Sequence, residues 1–226
     1  MPRLTSLRSV PLFSGLSNEQ FASISETLGK RAFGKGIIIF HKDSPGRTLY
    51  IIESGKVRTF ILSEYGQELT LNIHGPGDAL GELALLDGKP RSAGAVTLEP
   101  TVTFTWDRDD FQRHLQAYPQ LALSLVETLV ARLRYTTTQT QCLTFLEVDG
   151  RVAAKLIEMA ERFGVQRQGL EVEMALTQGE LASWVGTTRE SVNKALGSLC
   201  RQALIDITGQ TVRILDARGL RRLAAL

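Results

Sequence analysis

"LTQGELASWVGTTRESVNKALGSLCRQALI", residues 176–205, decides how the carboxy-terminal third of the chain folds. Thr177 followed three positions later by Glu180 has the form of a capping box, in which hydroxyl and carboxylate each satisfy a backbone N–H of a helix start. Leu181, Ala182 and Val185 give a short apolar face, Gly186 permits a tight turn, and a second helix is predicted from about Thr188 with Val192, Ala195, Leu196 and Leu199 inward. Two short helices joined through glycine read as a helix-turn-helix; a helical hairpin of this size also serves purely structural roles. Arg189, Glu190, Asn193 and Lys194 fall opposite Val192 and Leu196, near the start of the second helix, where a major-groove helix makes its base contacts. Arginine bonds guanine O6 and N7 as a fork, glutamate accepts from cytosine N4, and lysine reaches a guanine or a phosphate.

Downstream, "LIDITGQTVRILD" alternates β-branched residues around Gly209-Gln210, which predicts a small hairpin wing, and "DARGLRRLAAL" predicts a last helix capped by Asp216. Upstream, "RVAAKLIEMAERFG" reads as an amphipathic helix closed by Gly164, and "EVDG", residues 147–150, as the end of the preceding helix and a hinge. That preceding helix is long and is entered at Pro119, a residue suited to a first helical position. Val126, Leu129, Leu133, Thr136, Thr140 and Leu143 repeat at three- and four-residue steps, the seam of a two-stranded coiled coil, while Leu121, Leu125 and Val130 are predicted to pack on the preceding domain. The seam turns polar at Thr136 and Thr140. Either these threonines form a polar layer that sets the register, or a ligand is buried between the helices.

Between Arg31 and Trp106 short β-branched and aromatic runs alternate with glycine turns, the pattern of an antiparallel barrel or jelly roll. One stretch departs from it. "GELALLDGKPRSAG", residues 81–94, sets Gly81 and Glu82 before three apolar positions, turns at Asp87-Gly88, and ends with Arg91 among small residues. An Arg91–Glu82 ion pair closing a β-turn is one reading of it, and an anion site at Arg91 is the other.

Length and composition limit the alternatives. At 226 residues two domains are expected, and 43% hydrophobic with 22% charged residues suffices for buried cores. The net charge of +2 is uneven: from Gly150 onward there are 11 Lys/Arg against 8 Asp/Glu, and before it 15 against 16, so the basic part coincides with the helix-turn-helix. No apolar run of about 18 residues suggests a membrane span, and "MPRLTSLRSVPLF" lacks the apolar core of an export signal, so a cytoplasmic protein is expected. Cys142 and Cys200 stand alone and read as buried small hydrophobes; His41, His74 and His114 read as surface or turn histidines. No metal site, haem or iron-sulfur cluster is expected.

Taken together, Gly81-Glu82-Leu83 with Arg91-Ser92-Ala93, the pair Thr136-Thr137, the hinge "FLEVDGRVA" and "TTRESVNKAL" resemble the cAMP receptor protein/FNR family of bacterial transcription regulators, in its cyclic-nucleotide-binding branch. The resemblance covers nearly the whole chain. It implies an α+β architecture: an N-terminal antiparallel β-roll (1–117), a central dimerisation helix and hinge (118–148), and a C-terminal winged helix-turn-helix (149–226). It implies that Arg91 and Ser92 hold a cyclic phosphate, with Glu82 and the Gly81 backbone on the ribose 2′-hydroxyl and Leu83 and Ala93 completing the cassette. Thr136 meets the adenine from its own subunit and Thr137 from the partner. Chemistry agrees: a guanidinium fork and a hydroxyl suit a phosphodiester anion, whereas a carboxylate suits the sugar. Thr177, Thr188, Arg189, Glu190, Asn193 and Lys194 are the DNA-facing set the resemblance implies, although Lys194 stands where the best-known member has arginine and Gly179 weakens its helix by about 1 kcal/mol.

The function so implied is a homodimeric, ligand-controlled regulator of transcription that binds pseudo-palindromic DNA, with cAMP as allosteric ligand and RNA polymerase as a further partner. A regulator answering to cGMP or cyclic di-GMP, or active without ligand, is the nearer alternative, since threonine hydroxyls also suit guanine. An enzyme acting on cyclic nucleotides is remote, because no metal cluster or base-plus-nucleophile grouping accompanies the cassette.

Overall fold

The computed structural model describes residues 7–8, 10–167, 169–173, 177–209 and 211–225. It divides into two compact units, one of residues up to 61 with 71–134, the other of residues 62–70 with 135 onward. In chain order, a 3-10 turn at Pro11–Phe13 precedes α1 (Asn18–Thr27), β1 (Gly29–Phe33), β2 (Ile38–Phe40), β3 (Thr48–Ser54), β4 (Val57–Leu62), β5 (Glu68–His74), β6 (Ala79–Leu80), α2 (Glu82–Asp87), β7 (Gly94–Thr97), β8 (Thr101–Asp107) and α3 (Arg108–Ala117). The long helix α4 (Pro119–Phe145) follows, then α5 (Val148–Phe163), β9 (Val165–Arg167), β10 (Gly169–Glu173), α6 (Gln178–Val185), α7 (Arg189–Arg201), β11 (Ile205–Thr208), β12 (Thr211–Ile214) and α8 (Ala217–Leu223).

Two four-stranded sheets, β1-β8-β3-β6 and β2-β7-β4-β5, make the antiparallel roll. The run Leu49-Tyr50-Ile51-Ile52 in β3 is buried at every position because the strand is covered on both faces. Leu49 and Ile51 join one core with Phe13, Phe104, Trp106 and Phe111, while Tyr50 and Ile52 join a second with Phe33, Val57 and Ala95. At about 25 cal/mol per Å² of apolar surface, such side chains each contribute about 1.5–3 kcal/mol on burial.

In the second unit a sheet of order β11-β12-β10-β9 backs the helices. The β11–β12 hairpin carries Gly209 in the left-handed region (φ 61), as the Gly209-Gln210 turn predicts, with Gln210 itself outside the described residues. Asp216 caps α8, accepting from the Gly219 N–H at 2.9 Å.

Three local expectations need correction, and a fourth holds with a different geometry. The break between α4 and α5 falls at Leu146–Glu147, so "VDG" opens α5 rather than ending α4. Gly164 closes α5 as expected, in an extended conformation (φ −71), and glycine is required there because a Cβ would meet the Ala160 carbonyl oxygen. His74 and His114 are buried: His74 Nε2 lies 3.2 Å from Thr59 Oγ1, and His114 stacks on Tyr118 with Nδ1 2.8 Å from Asp110 O. A hydrogen-bond partner for a ring nitrogen offsets part of the cost of burying an imidazole. Cys142 and Cys200 are free thiols but only half-buried.

Candidate ligand cassette and nucleic-acid interface

Gly81, at the junction of β6 and α2, adopts φ 88, a conformation glycine takes without strain, and a side chain there would meet the Arg91 guanidinium. That guanidinium is buried, with 4% exposure. Its Nη1 donates to Gly81 O and its Nη2 to Thr48 O, each at 2.6 Å, and it lies over the Phe40 ring, 4.4 Å from the centroid. The Arg91 backbone is pinned as well, its N–H donating to Ser44 O at 2.9 Å and its carbonyl accepting from Asp43 N–H at 2.8 Å. Gly46 closes the cradle: a Cβ there would lie 2.6 Å from both Ala84 Cβ and Arg91 Nε. Burial holds the Arg91 pKa below the ordinary arginine value, against the opposing pull of Tyr50 and Glu82.

Glu82 is also buried, but its partner is not Arg91. Its Oε1 is paired with Arg132 Nη1 from α4, and Arg132 Nη2 donates to Ala79 O at 2.8 Å. An Arg91–Glu82 ion pair is therefore not what closes this loop. Two polar atoms remain buried without a protein partner, Arg91 Nε, a donor, and Glu82 Oε2, an acceptor. Ala93 is buried beside them, Gly81 is half-buried, and Leu83 and Ser92 are exposed.

Thr48, Phe40 and Gly46 against Arg91, and Arg132 against Glu82, belong to the candidate site by contact and were missed by the motif reading. For Arg132 a signal exists: Leu121, Leu125 and Leu129 pack toward the roll core, and the same helix face continues to Arg132, where a cation requires a carboxylate partner. The expected seam is shifted accordingly. Leu129, not Val130, belongs to the core-facing side, and Leu123, Val126, Val130 and Leu133 form an exposed apolar stripe along α4. Thr136 and Thr137 are exposed farther along the same helix, within the second unit.

The helix-turn-helix forms as its caps predict. Thr177 and Glu180 make both arms of the capping box, Gly186 turns with φ 65, and Thr188 caps α7 by accepting from Ser191 N–H at 3.2 Å. Leu181, Ala182, Trp184, Val185, Val192, Ala195, Leu196 and Leu199 are buried, which leaves Thr177, Thr188, Arg189, Glu190, Asn193 and Lys194 exposed. Glu190 has its pKa held below the ordinary value by hydrogen bonds from its backbone and from Thr188.

A buried arginine and carboxylate in a β-roll, followed in one chain by a helix-turn-helix with a hairpin, match two families of domains. The cyclic nucleotide-binding domain matches residues 30–118, and the Crp-like helix-turn-helix domain matches residues 150–223. The chain belongs to the cAMP receptor protein/FNR family. A CRP-like cAMP-activated global transcriptional regulator from Mycobacterium tuberculosis is 37% identical over 214 residues, 94% of this chain and 96% of that protein. The cyclic AMP receptor protein of Thermus thermophilus is 34% identical over 218 residues, 96% of this chain and 98% of the relative. The structure of FixK2 from Bradyrhizobium japonicum, 23% identical, superposes with a TM-score of 0.79 over 88% of this chain and 98% of its own, a likeness of fold. This member of the family is thus a transcription regulator with a cyclic nucleotide-binding and a DNA-binding domain. Among the described residues no helix is long and apolar enough to cross a membrane, and no three His, Cys, Asp or Glu gather as metal ligands.

Proposed function

We propose that this regulator is a homodimer switched by cAMP between states of low and high affinity for a pseudo-palindromic operator. One observation carries the ligand assignment: Arg91 Nε and Glu82 Oε2 lie buried and unpartnered in one loop. Buried polar atoms cost free energy unless paired, so an orphan donor and an orphan acceptor within one short stretch of chain fit a ligand offering an anion and a hydroxyl. A cyclic nucleotide brings a phosphodiester anion, a ribose 2′-hydroxyl and a base. Arg91 and Ser92 hold the phosphate, Glu82 and the Gly81 backbone hold the hydroxyl, and Leu83 and Ala93 border the site. Thr136 of the same subunit and Thr137 of the partner subunit meet the adenine, which joins ligand binding to the seam between subunits. The stripe Val126, Val130 and Leu133 supports that seam, since apolar side chains at heptad spacing on one helix suit a second copy of it.

The reading divides the chain into a nucleotide-binding roll (1–117), a dimerisation helix with hinge (118–148) and a winged helix-turn-helix (149–226). Ligand binding shifts the population toward the conformation whose two recognition helices fit successive major grooves, about 10–10.5 bp apart. The protein works in the cytoplasm beside RNA polymerase and does not turn over its ligand; incubation with cAMP is expected to yield no AMP, and its appearance would overturn that part of the reading. Calorimetric titration with cAMP, cGMP and cyclic di-GMP, followed by operator binding with and without each, tests the proposal. Binding of cAMP with a gain in operator affinity supports it; a gain with cyclic di-GMP alone replaces the ligand; no gain with any nucleotide refutes ligand control.

A further inference from the structure

The hinge at Leu146–Glu147 is spanned by a buried polar cluster that no motif in the sequence announces. Tyr135 of α4 donates its hydroxyl to Glu158 Oε1 of α5 at 2.9 Å. Lys155, on the same α5 face, donates from Nζ to Tyr135 Oη at 3.1 Å and to Glu158 Oε2 at 2.9 Å. The ammonium also lies 4.3 Å from the ring centroid of Trp184 and 5.3 Å from that of Tyr135, within cation–π reach of both. Trp184 belongs to α6, the first helix of the helix-turn-helix. Four side chains therefore tie three helices together around one lysine that is only 4% exposed.

This arrangement is directional and all-or-none. A buried cation needs its partners, so a shift of Tyr135 that lengthens its bonds leaves Lys155 and Glu158 incompletely satisfied. Burial already holds Lys155 below the ordinary lysine range against the pull of Glu158, and raises the Tyr135 hydroxyl above its own. Arg162, reaching Glu158 Oε1 at 3.4 Å, is the other cation facing the carboxylate. On one side of the cluster lies a cavity of about 200 Å³, bordered by Tyr135, Cys142, Leu143, Lys155, Glu158 and Trp184. Close-packed interiors resist rearrangement, whereas a cluster beside a partly open pocket has room to take a second one.

We propose that Tyr135, Lys155, Glu158 and Trp184 form the joint through which α4 sets the position of the recognition helices. The inference rests on the reading that Thr136 meets the ligand: Tyr135 is its immediate neighbour, so any turn of the helix that seats Thr136 on the base carries the Tyr135 ring with it. These are positioning residues, which touch neither ligand nor DNA.

The test is Tyr135→Phe, which keeps the ring and removes the hydroxyl that bridges α4 to α5. Nucleotide affinity is measured by calorimetry, and operator affinity by fluorescence anisotropy without ligand and with saturating cAMP. The expected result is a cAMP Kd within about threefold of wild type together with a drop of about fivefold or more in the ligand-induced gain, a share of the coupling usual in allosteric proteins. A merely structural role lowers the melting temperature and both operator affinities alike, and an unchanged ratio overturns the joint. Trp184→Phe should lower the same ratio, and the double variant should lose less than the product of the two, because both act through one cluster. A wild-type protein without nucleotide response refutes the ligand reading instead. The joint is then decided by ligand-free operator affinity, which Tyr135→Phe must shift by about fivefold and whose constancy overturns it.

Discussion

Arg91 has five N–H donors, and two of them serve main-chain carbonyls at Gly81 and Thr48, so the residue builds the loop as well as offering a charge. Arg91→Leu is therefore expected to remove nucleotide binding and also to lower the melting temperature, since each buried carbonyl left without a donor costs about 1–3 kcal/mol. Calorimetry and thermal melts on the same sample check both, and retained cAMP affinity sinks the assignment. His114 gives a pH signature of its own. Burial, aided by Arg113, holds its pKa below the ordinary histidine value, so as pH falls through about 6.5 the unfolded chain takes up the proton first. Stability present above that range is lost below it, and His114→Phe, which keeps an aromatic ring between Trp106 and Tyr118, should flatten the fall of melting temperature between pH 7 and 5. Gly81, Glu82 and Arg91 were legible in the sequence because a turn glycine, a carboxylate and a guanidinium break an otherwise apolar strand pattern. Phe40 and Thr48 were not, since an aromatic residue in a strand run and a carbonyl contribution carry no signal in side-chain identity.

Helix α4 presents Leu123, Val126, Val130 and Leu133 to solvent in the single chain, Leu133 with 68% of its surface exposed. A charge placed in that stripe opposes pairing without touching the roll core, so Leu133→Glu is expected to sediment as a folded monomer and to lose operator affinity. On α7, Arg189→Ala should cost about 1–3 kcal/mol per half-site and relax preference at one G·C pair, as the loss of a bidentate guanine contact does. Binding across a library of half-site variants checks it, and equal losses on every sequence would mean that Arg189 contacts phosphate only. Periodicity foretold α4, α6 and α7, down to the capping box at Thr177 that opens α6 and the turn at Gly186 that ends it. It misassigned Leu129 and Val130 because both faces of α4 are apolar, and adjacent residues then compete for the same stripe. The break at Leu146 escaped the reading because Glu147 caps α5 through backbone geometry alone, with no side-chain bond to betray it.

Across the whole molecule the chain forms two compact units, so a ligand held mainly by one of them is expected to affect the two unequally. A nucleotide held by the Arg91 cassette stabilises the unit that contains it, by about 2.7 kcal/mol at one hundred times Kd. Scanning calorimetry should show that unit's transition rising with cAMP, and the rise should vanish in Arg91→Leu. That the chain forms more than one unit was readable from its length, although the division falls within α4, between 134 and 135, rather than at a change of period. Contacts that join residues distant in the chain were not, and the cradle around Arg91 is the clearest case. Gly46 lies in no motif, yet any side chain there crowds the guanidinium and Ala84 together. A genetic selection for regulators deaf to their signal should then return alleles at codon 46 alongside those in the cassette itself. Such alleles keep every ligand-contacting residue intact, so a catalogue of contacts would class them as silent.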